Sequence, residues 1–137
     1  MKRMVVSCLA LAVLGVATAG AEDGPLKVVV HVNFAESGAQ GAGLRSVANL
    51  LKEDPGAKVE VVCHAAGIGL LEKARTDHAE AVGALIRQGV SFVACENTMR
   101  KKTIRKEDLL PGVATVPSGA VEVVRKQQKD GYAYFKP

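Results

Sequence analysis

The stretch VSFVACENTMRKK, residues 90–102, changes character abruptly in its middle. Val90 to Ala94 reads as a buried run that stops at Cys95, and an acid, an amide and a hydroxyl follow at Glu96, Asn97 and Thr98. Three basic residues, Arg100, Lys101 and Lys102, come soon after. A nearly continuous apolar run suits a strand covered on both faces, as in a parallel sheet. The polar residues then mark the end of the strand and the opening of a short helix near Thr98. This places a thiol where a buried strand meets a polar turn.

The same pattern recurs on either side. LKVVVHVNF (26–34), KVEVVC (58–63) and the shorter run Val113 to Val116 read as further strands. Helical spacing separates them. In GLRSVANLLKE (43–53), Leu44, Val47, Ala48 and Leu51 recur at i, i+3, i+4 and i+7, and Pro55-Gly56 breaks the pattern. In DHAEAVGALIRQG (77–89), Asp77 and Glu80 have capping-box spacing and Gly89 stands where a C-terminal cap belongs. Ser118 caps a last helix from about Gly119 to Asp130, ended by Gly131, and YAYFKP offers a final strand. Strands that alternate with helices predict an α/β fold. The expected architecture is three α/β/α layers around a mostly parallel sheet of four to five strands, flavodoxin- or Rossmann-like. Gly38 to Gly43 reads as a flexible loop before the first helix. Its G-x-x-G-x-G spacing differs from the dinucleotide fingerprint, which argues against a nucleotide cofactor.

The first 21 residues read as a cleaved secretory signal. Met1-Lys2-Arg3 is positive, Met4 to Ala17 is uncharged and too short to span a bilayer, and Ala19-Gly20-Ala21 is a small-residue cleavage signature. Residues 22–137 then form one domain, large enough for a real core. Removing Lys2 and Arg3 halves the formal charge of +4, too small an excess to indicate nucleic-acid binding. Nothing further in the chain resembles a membrane segment. The expected location is the periplasm, as a soluble exported protein.

Of the three cysteines, Cys8 falls in the leader and Cys63 and Cys95 remain. In an oxidising compartment the pair raises the question of a disulfide. With strand order 2-1-3 the two would sit two strand spacings apart, about 9.6 Å, beyond the ~7 Å limit between Cα atoms. Order 3-2-1 makes them neighbours, and both orders fit the sequence.

Ligands of open parallel sheets bind beyond the carboxyl ends of the strands. Those ends carry Asn33, Cys63-His64, Cys95-Glu96-Asn97 and Pro117-Ser118. Cys95 is the strongest candidate. A helix start just after it supplies free N–H groups that favour a thiolate, and RKKTIRK (100–106) adds five positive charges. Asn97, Thr98, Asn33, His64 and Arg100 are candidate binding residues around it. Cys63 reads as a core cysteine, His31 as a satisfied core residue and His78 as surface. Cys63, His64 and Cys95 lack the spacing of a metal site, so no metal is expected.

Taken together, VVVHVNF, VEVVCHAAGIGLLEK and GVSFVACENTMRKKTIRKEDLLPG, followed by a glutamine-containing helix and GYAYFKP, resemble the DsrE/DsrF-like sulfur-relay proteins, in particular their small exported members. The turn at Cys95, Asn97, Thr98 and Met99 and the element Asp108 to Gly112 carry the resemblance most specifically. It implies a DsrE-like fold that assembles into homotrimers or hexamers. It also implies a persulfide-carrying cysteine at Cys95 and a protein donor or acceptor of sulfur, with no cofactor. The competing expectation is a non-catalytic ligand-binding or assembly module on the same fold.

Overall fold

The computed structural model describes residues 24–137, and the proposed leader lies outside the described residues. Five strands form one sheet: β1 (Lys27–Val32), β2 (Lys58–Cys63), β3 (Ser91–Cys95), β4 (Ala114–Val116) and β5 (Ala133–Phe135). Their order is β4-β3-β2-β1-β5 and every pairing is parallel. The helices are α1 (Ser37–Glu53), α2 (Ala79–Arg87), α3 (Glu96–Lys102) and α4 (Gly119–Asp130), with 3-10 turns at Ala65–Leu71 and Lys106–Asp108. The predicted three-layer α/β fold is therefore present, and YAYFKP does supply a last strand.

The two faces of the sheet are covered unequally. On one, Val28, Val30, Val59, Val61, Cys63, Phe92 and Ala94 meet Leu44, Val47 and Leu51 of α1, Val82 and Leu85 of α2, and Ile68, Leu70 and Leu71 of the first 3-10 turn. Alternate strand residues point to opposite faces. Val29, Val62 and Val93 accordingly meet Val123 of α4 on the other side. Part of that thinner layer is ionic. Glu60, buried in mid-strand, takes a salt bridge from Lys126 of α4 at 3.1 Å. Burial pushes the Glu60 carboxyl up, against the opposing pull of Lys126.

Two details depart from expectation. The glycine-rich segment is helix, not loop: α1 begins at Ser37 and includes Gly38, Gly41 and Gly43. Close packing explains two of these glycines, while Gly38 faces open space. A Cβ at Gly41 would lie 2.9 Å from His78 Cε1, and one at Gly43 would lie 2.8 Å from Pro137 Cγ. Buried Gln40 ties the first turn down by donating to the Phe34 carbonyl at 2.8 Å. The Asp77–Glu80 capping box is also absent. His78 holds the cap position without a side-chain bond, because Asp77 accepts from the Ser37 hydroxyl at 2.9 Å instead. The other caps are as predicted: Ser118 accepts from Val121 N–H, and Gly89 and Gly131 adopt positive φ.

Strand order answers the disulfide question in an unexpected way. β2 and β3 are neighbours, with Cys63 paired to Ala94. Cys95 is one residue further along, so its side chain leaves the opposite face of the sheet. Both cysteines are free and buried. Adjacent strands bring them near each other, and the pleat keeps them apart.

Candidate functional site

The site is built where β3 ends. Cys95 is the residue before α3, in extended backbone at φ −75° and ψ 115°. Beside it β4 ends and α4 begins at Gly119, and the two turns are tied by Asn97 N–H donating to the Pro117 carbonyl at 3.2 Å. Two helix starts therefore converge on one sulfur. Burial pushes the Cys95 thiol up, but N–H groups of Gly119, Thr98 and Asn97 and the Thr98 hydroxyl donate to the sulfur and together bring it below the ordinary thiol range. Each of these dipoles favours the anion over the thiol.

The donors are themselves held. The Thr98 hydroxyl accepts from Ala65 N–H at 3.0 Å, leaving its own hydrogen free to donate to the sulfur. Ala65 presents that N–H from a left-handed backbone, φ 50°, a conformation that costs a non-glycine residue ~1 kcal/mol or more. Gly119 can lie against the sulfur only because it has no side chain. A Cβ there would sit 3.0 Å from His64 Cβ and 3.2 Å from Cys95 Cβ.

Two parts of the sequence-based picture of Cys95 need correction. Solvent access was expected at the rim, yet the residue is only 4% exposed, covered by the turns that donate to it. The basic run was expected to depress the thiol pKa by charge, whereas the main lowering comes from the hydrogen-bond donors of Gly119, Thr98 and Asn97. Arg100 turns back to the Asn97 side-chain oxygen, and Arg105 pairs with Asp108 at 2.9 Å and Glu107 at 3.2 Å. Glu96, the acid next to the thiol, is directed away: its Oε1 accepts from the Thr115 hydroxyl at 2.7 Å.

The other candidates divide. Asn97 and Thr98 join Cys95. His64 borders the site through its contact with Gly119, and its Nε2 lies 2.5 Å from His31 Nε2. The two rings stack at 4.8 Å between centroids, and His31 Nδ1 lies 2.8 Å from the Tyr134 hydroxyl. Burial first, then His64 and Lys136, lowers His31 to about 4, and burial and Lys136 lower His64. Both rings are therefore neutral near pH 7, and neither supplies an imidazolium to the thiolate. Asn33 stands apart, its oxygen accepting from Lys136 Nζ at 2.5 Å. With Cys63 on the other face, the set Cys63, His64 and Cys95 does not assemble. His31 and Tyr134 were not anticipated here, and neither was Gly119. The turn Pro117-Ser118-Gly119 at the end of a strand was the available signal for Gly119.

A parallel five-stranded sheet with a buried cysteine at the end of β3, seated between two helix starts, is the setting in which the comparisons with known proteins apply. The profile of the DsrE/DsrF-like family matches residues 27–137. The chain belongs to the DsrE/DsrF-like family. No curated protein matches it. Among solved structures it is similar to the protein of unknown function MTH1491 from Methanobacterium thermoautotrophicum, at 33% identity and TM-score 0.77, over 82% of this chain and 99% of that one. It is also similar to the ychN protein from E. coli, at 17% identity and TM-score 0.64, again over 82% and 99%. The second likeness concerns the fold alone. Cys95 ends β3, and the groups that donate to its sulfur lie at the starts of α3 and α4.

Proposed function

We propose that this DsrE/DsrF-like chain handles sulfur by carrying a sulfane sulfur atom as a persulfide on Cys95. The observation that carries this reading is the set of three N–H groups and one hydroxyl donating to the Cys95 sulfur, with a thiol pKa below the ordinary range. A thiolate is the species that exchanges with sulfane sulfur, and the exchange needs no cofactor. In the charging step Cys95 Sγ attacks the terminal sulfur of a donor. The new Sγ–S bond forms, the donor's S–S bond breaks, and the shortened donor leaves with the bonding pair. Attack of an acceptor thiolate on the terminal sulfur then returns Cys95 as a thiolate. Sulfur changes hands in both steps with no external oxidant or reductant.

Low exposure is consistent with a carrier. Surrounding donors and limited water access protect a persulfide from indiscriminate reaction, and transfer then requires a partner or a small motion of the α3 and α4 turns. The test is to incubate the protein with inorganic polysulfide and measure its intact mass. The expected product gains one sulfur atom, loses it on reduction, and fails to form in Cys95→Ser. A protein that gains no such sulfur overturns the proposal and favours the ligand-binding module instead.

Two further expectations belong to the same proposal. The chain is exported by its leader to the periplasm, checked by fractionation of cells carrying the full sequence. It works as a homo-oligomer, since Val121 and Val124 of α4 are 63% and 48% exposed, and apolar residues side by side on one helix face are commonly covered by a partner. Light scattering after size exclusion that returns a monomer overturns the latter. Among the described residues no helix is long and apolar enough to cross a membrane.

A further inference from the structure

A depression of about 520 Å³ opens beside Cys95, lined by Ala65, Ala66, Asn97, Thr98, Lys101 and Lys102. Its wall and the sulfur share a residue, because Thr98 both lines the depression and donates to the Cys95 sulfur. The lining is selective in charge. Lys101 and Lys102 are exposed, and neither forms a salt bridge among the described residues, although other cations nearby do: Arg105 is engaged by Asp108 and Glu107. Glu96, the nearest acid in sequence, is held on Thr115. Asn97 adds polarity of the same sense. Arg100 occupies its side-chain oxygen, leaving the amide N–H₂ as the group it can offer a ligand. Among the side chains lining the cavity, the polar groups not already committed are thus a donor amide and two cations.

We infer that this depression admits a small anionic sulfur donor, such as a polysulfide or thiosulfonate anion, and that Lys101 and Lys102 set that preference. This deepens the persulfide reading and rests on it. The physical need comes from the reaction itself. A thiolate attacking an anionic donor brings two like charges together, which costs about 1 kcal/mol at 4 Å even in bulk water and more near a protein surface. The hydrogen bonds that steady the Cys95 thiolate do not relieve that repulsion, and two unpaired ammonium groups at the approach do. Size points the same way. Cys95 is 4% exposed and pressed by Gly119, so a slender anion reaches the sulfur with less displacement of the turns than a thiol presented by a folded protein. In charging by polysulfide, Sγ bonds to the terminal sulfur, that sulfur's bond to its neighbour breaks, and the chain leaves one sulfur shorter with the electron pair.

The test compares two alkylating agents of nearly equal size and mechanism, anionic iodoacetate and neutral iodoacetamide, on the protein and on the variant Lys101→Ala/Lys102→Ala. The expected result is a fall of about fivefold in the iodoacetate rate, an unchanged iodoacetamide rate, and loss of the difference between protein and variant as salt rises. Polysulfide charging should fall with the iodoacetate rate. Because both lysines are exposed, the variant should fold, and far-UV circular dichroism with an unchanged iodoacetamide rate establishes that it has. If both agents label Cys95 and their ratio is the same with and without the lysines, the anion preference is wrong while the persulfide reading stands. If neither agent labels Cys95 in the unmodified protein, a small anion has no route to the sulfur and the inference falls, while the intact-mass test with polysulfide decides the persulfide reading by itself. Charging by a protein-bound persulfide that outpaces polysulfide, and does not respond to the two substitutions, also overturns the inference.

Discussion

Cys63 and Cys95 end neighbouring strands one register position apart, and they are chemically opposite. Cys63 is completely buried among apolar side chains, and burial alone drives its thiol far above the ordinary range. Cys95 is nearly as buried, yet its thiol is lowered. Loss of water disfavours both anions. The difference lies in what replaces the water: hydrocarbon at one, four hydrogen-bond donors at the other. Burial by itself therefore says little about a cysteine's reactivity, and the orientation of nearby amides says a great deal.

The sharpest way to break the contrast is to remove one sulfur at a time. Cys95→Ser should abolish the reducible sulfur adduct, whereas Cys63→Ala should keep it in full and cost only stability, ~1–2 kcal/mol by urea unfolding. A Cys63-dependent adduct would reverse the assignment. Next in size is Gly119→Ala. The backbone there tolerates alanine, but the new methyl meets His64 and Cys95, displacing the first donor. Loss of one hydrogen bond to a charged group is worth roughly 1.5 kcal/mol, so alkylation of Cys95 near pH 7 should slow about tenfold. An unchanged rate would show that α4 does not hold the thiolate.

Stability against pH should separate the cysteines as well. Below the unfolded thiol value of about 8.5, the native protein has already released the Cys95 proton over the interval down to its lowered pKa. The unfolded chain binds the extra proton there, so stability rises with pH, by up to about 1.4 kcal/mol per unit. Above about 8.5 the sign reverses through Cys63: the unfolded thiol ionises, the native one does not, and stability falls. Denaturant titrations across this range should lose the rise in Cys95→Ser and the fall in Cys63→Ala. The smallest effect expected is that of Thr98→Val, which deletes one of four donors and should slow alkylation about threefold, with Thr98→Ser restoring it. If valine has no effect, the main-chain donors suffice.

Much of the fold could be read from the chain because its strands are continuous apolar runs and two of its helices, α2 and α4, end in glycine. KVEVVC and SFVAC are buried over most of their length, and Gly89 and Gly131 take the positive φ expected of them. Strand order could not be read, since apolar runs of similar length carry no record of which neighbour they choose. Gly38 to Gly43 misled because glycine serves close packing, as at Gly41 and Gly43, as readily as it serves flexibility. Cys95 itself was legible from its place at the end of a strand. Its donors were not, because three of the four are main-chain N–H groups, and Gly119 reveals its part only when the distance to His64 is known. Glu60 escaped notice for a related reason: a single acid in a buried strand gains meaning only from Lys126 above it.

The sheet closes on one side with β5, a three-residue strand laid along β1, and the bond between His31 and Tyr134 across that seam spans 103 positions. A contact so remote along the chain must close a long loop, at a cost in chain entropy. Until it forms, β1 offers a naked row of amides and carbonyls to any passing strand. The molecule's protection against templating its own aggregation thus resides in a clasp a few residues long.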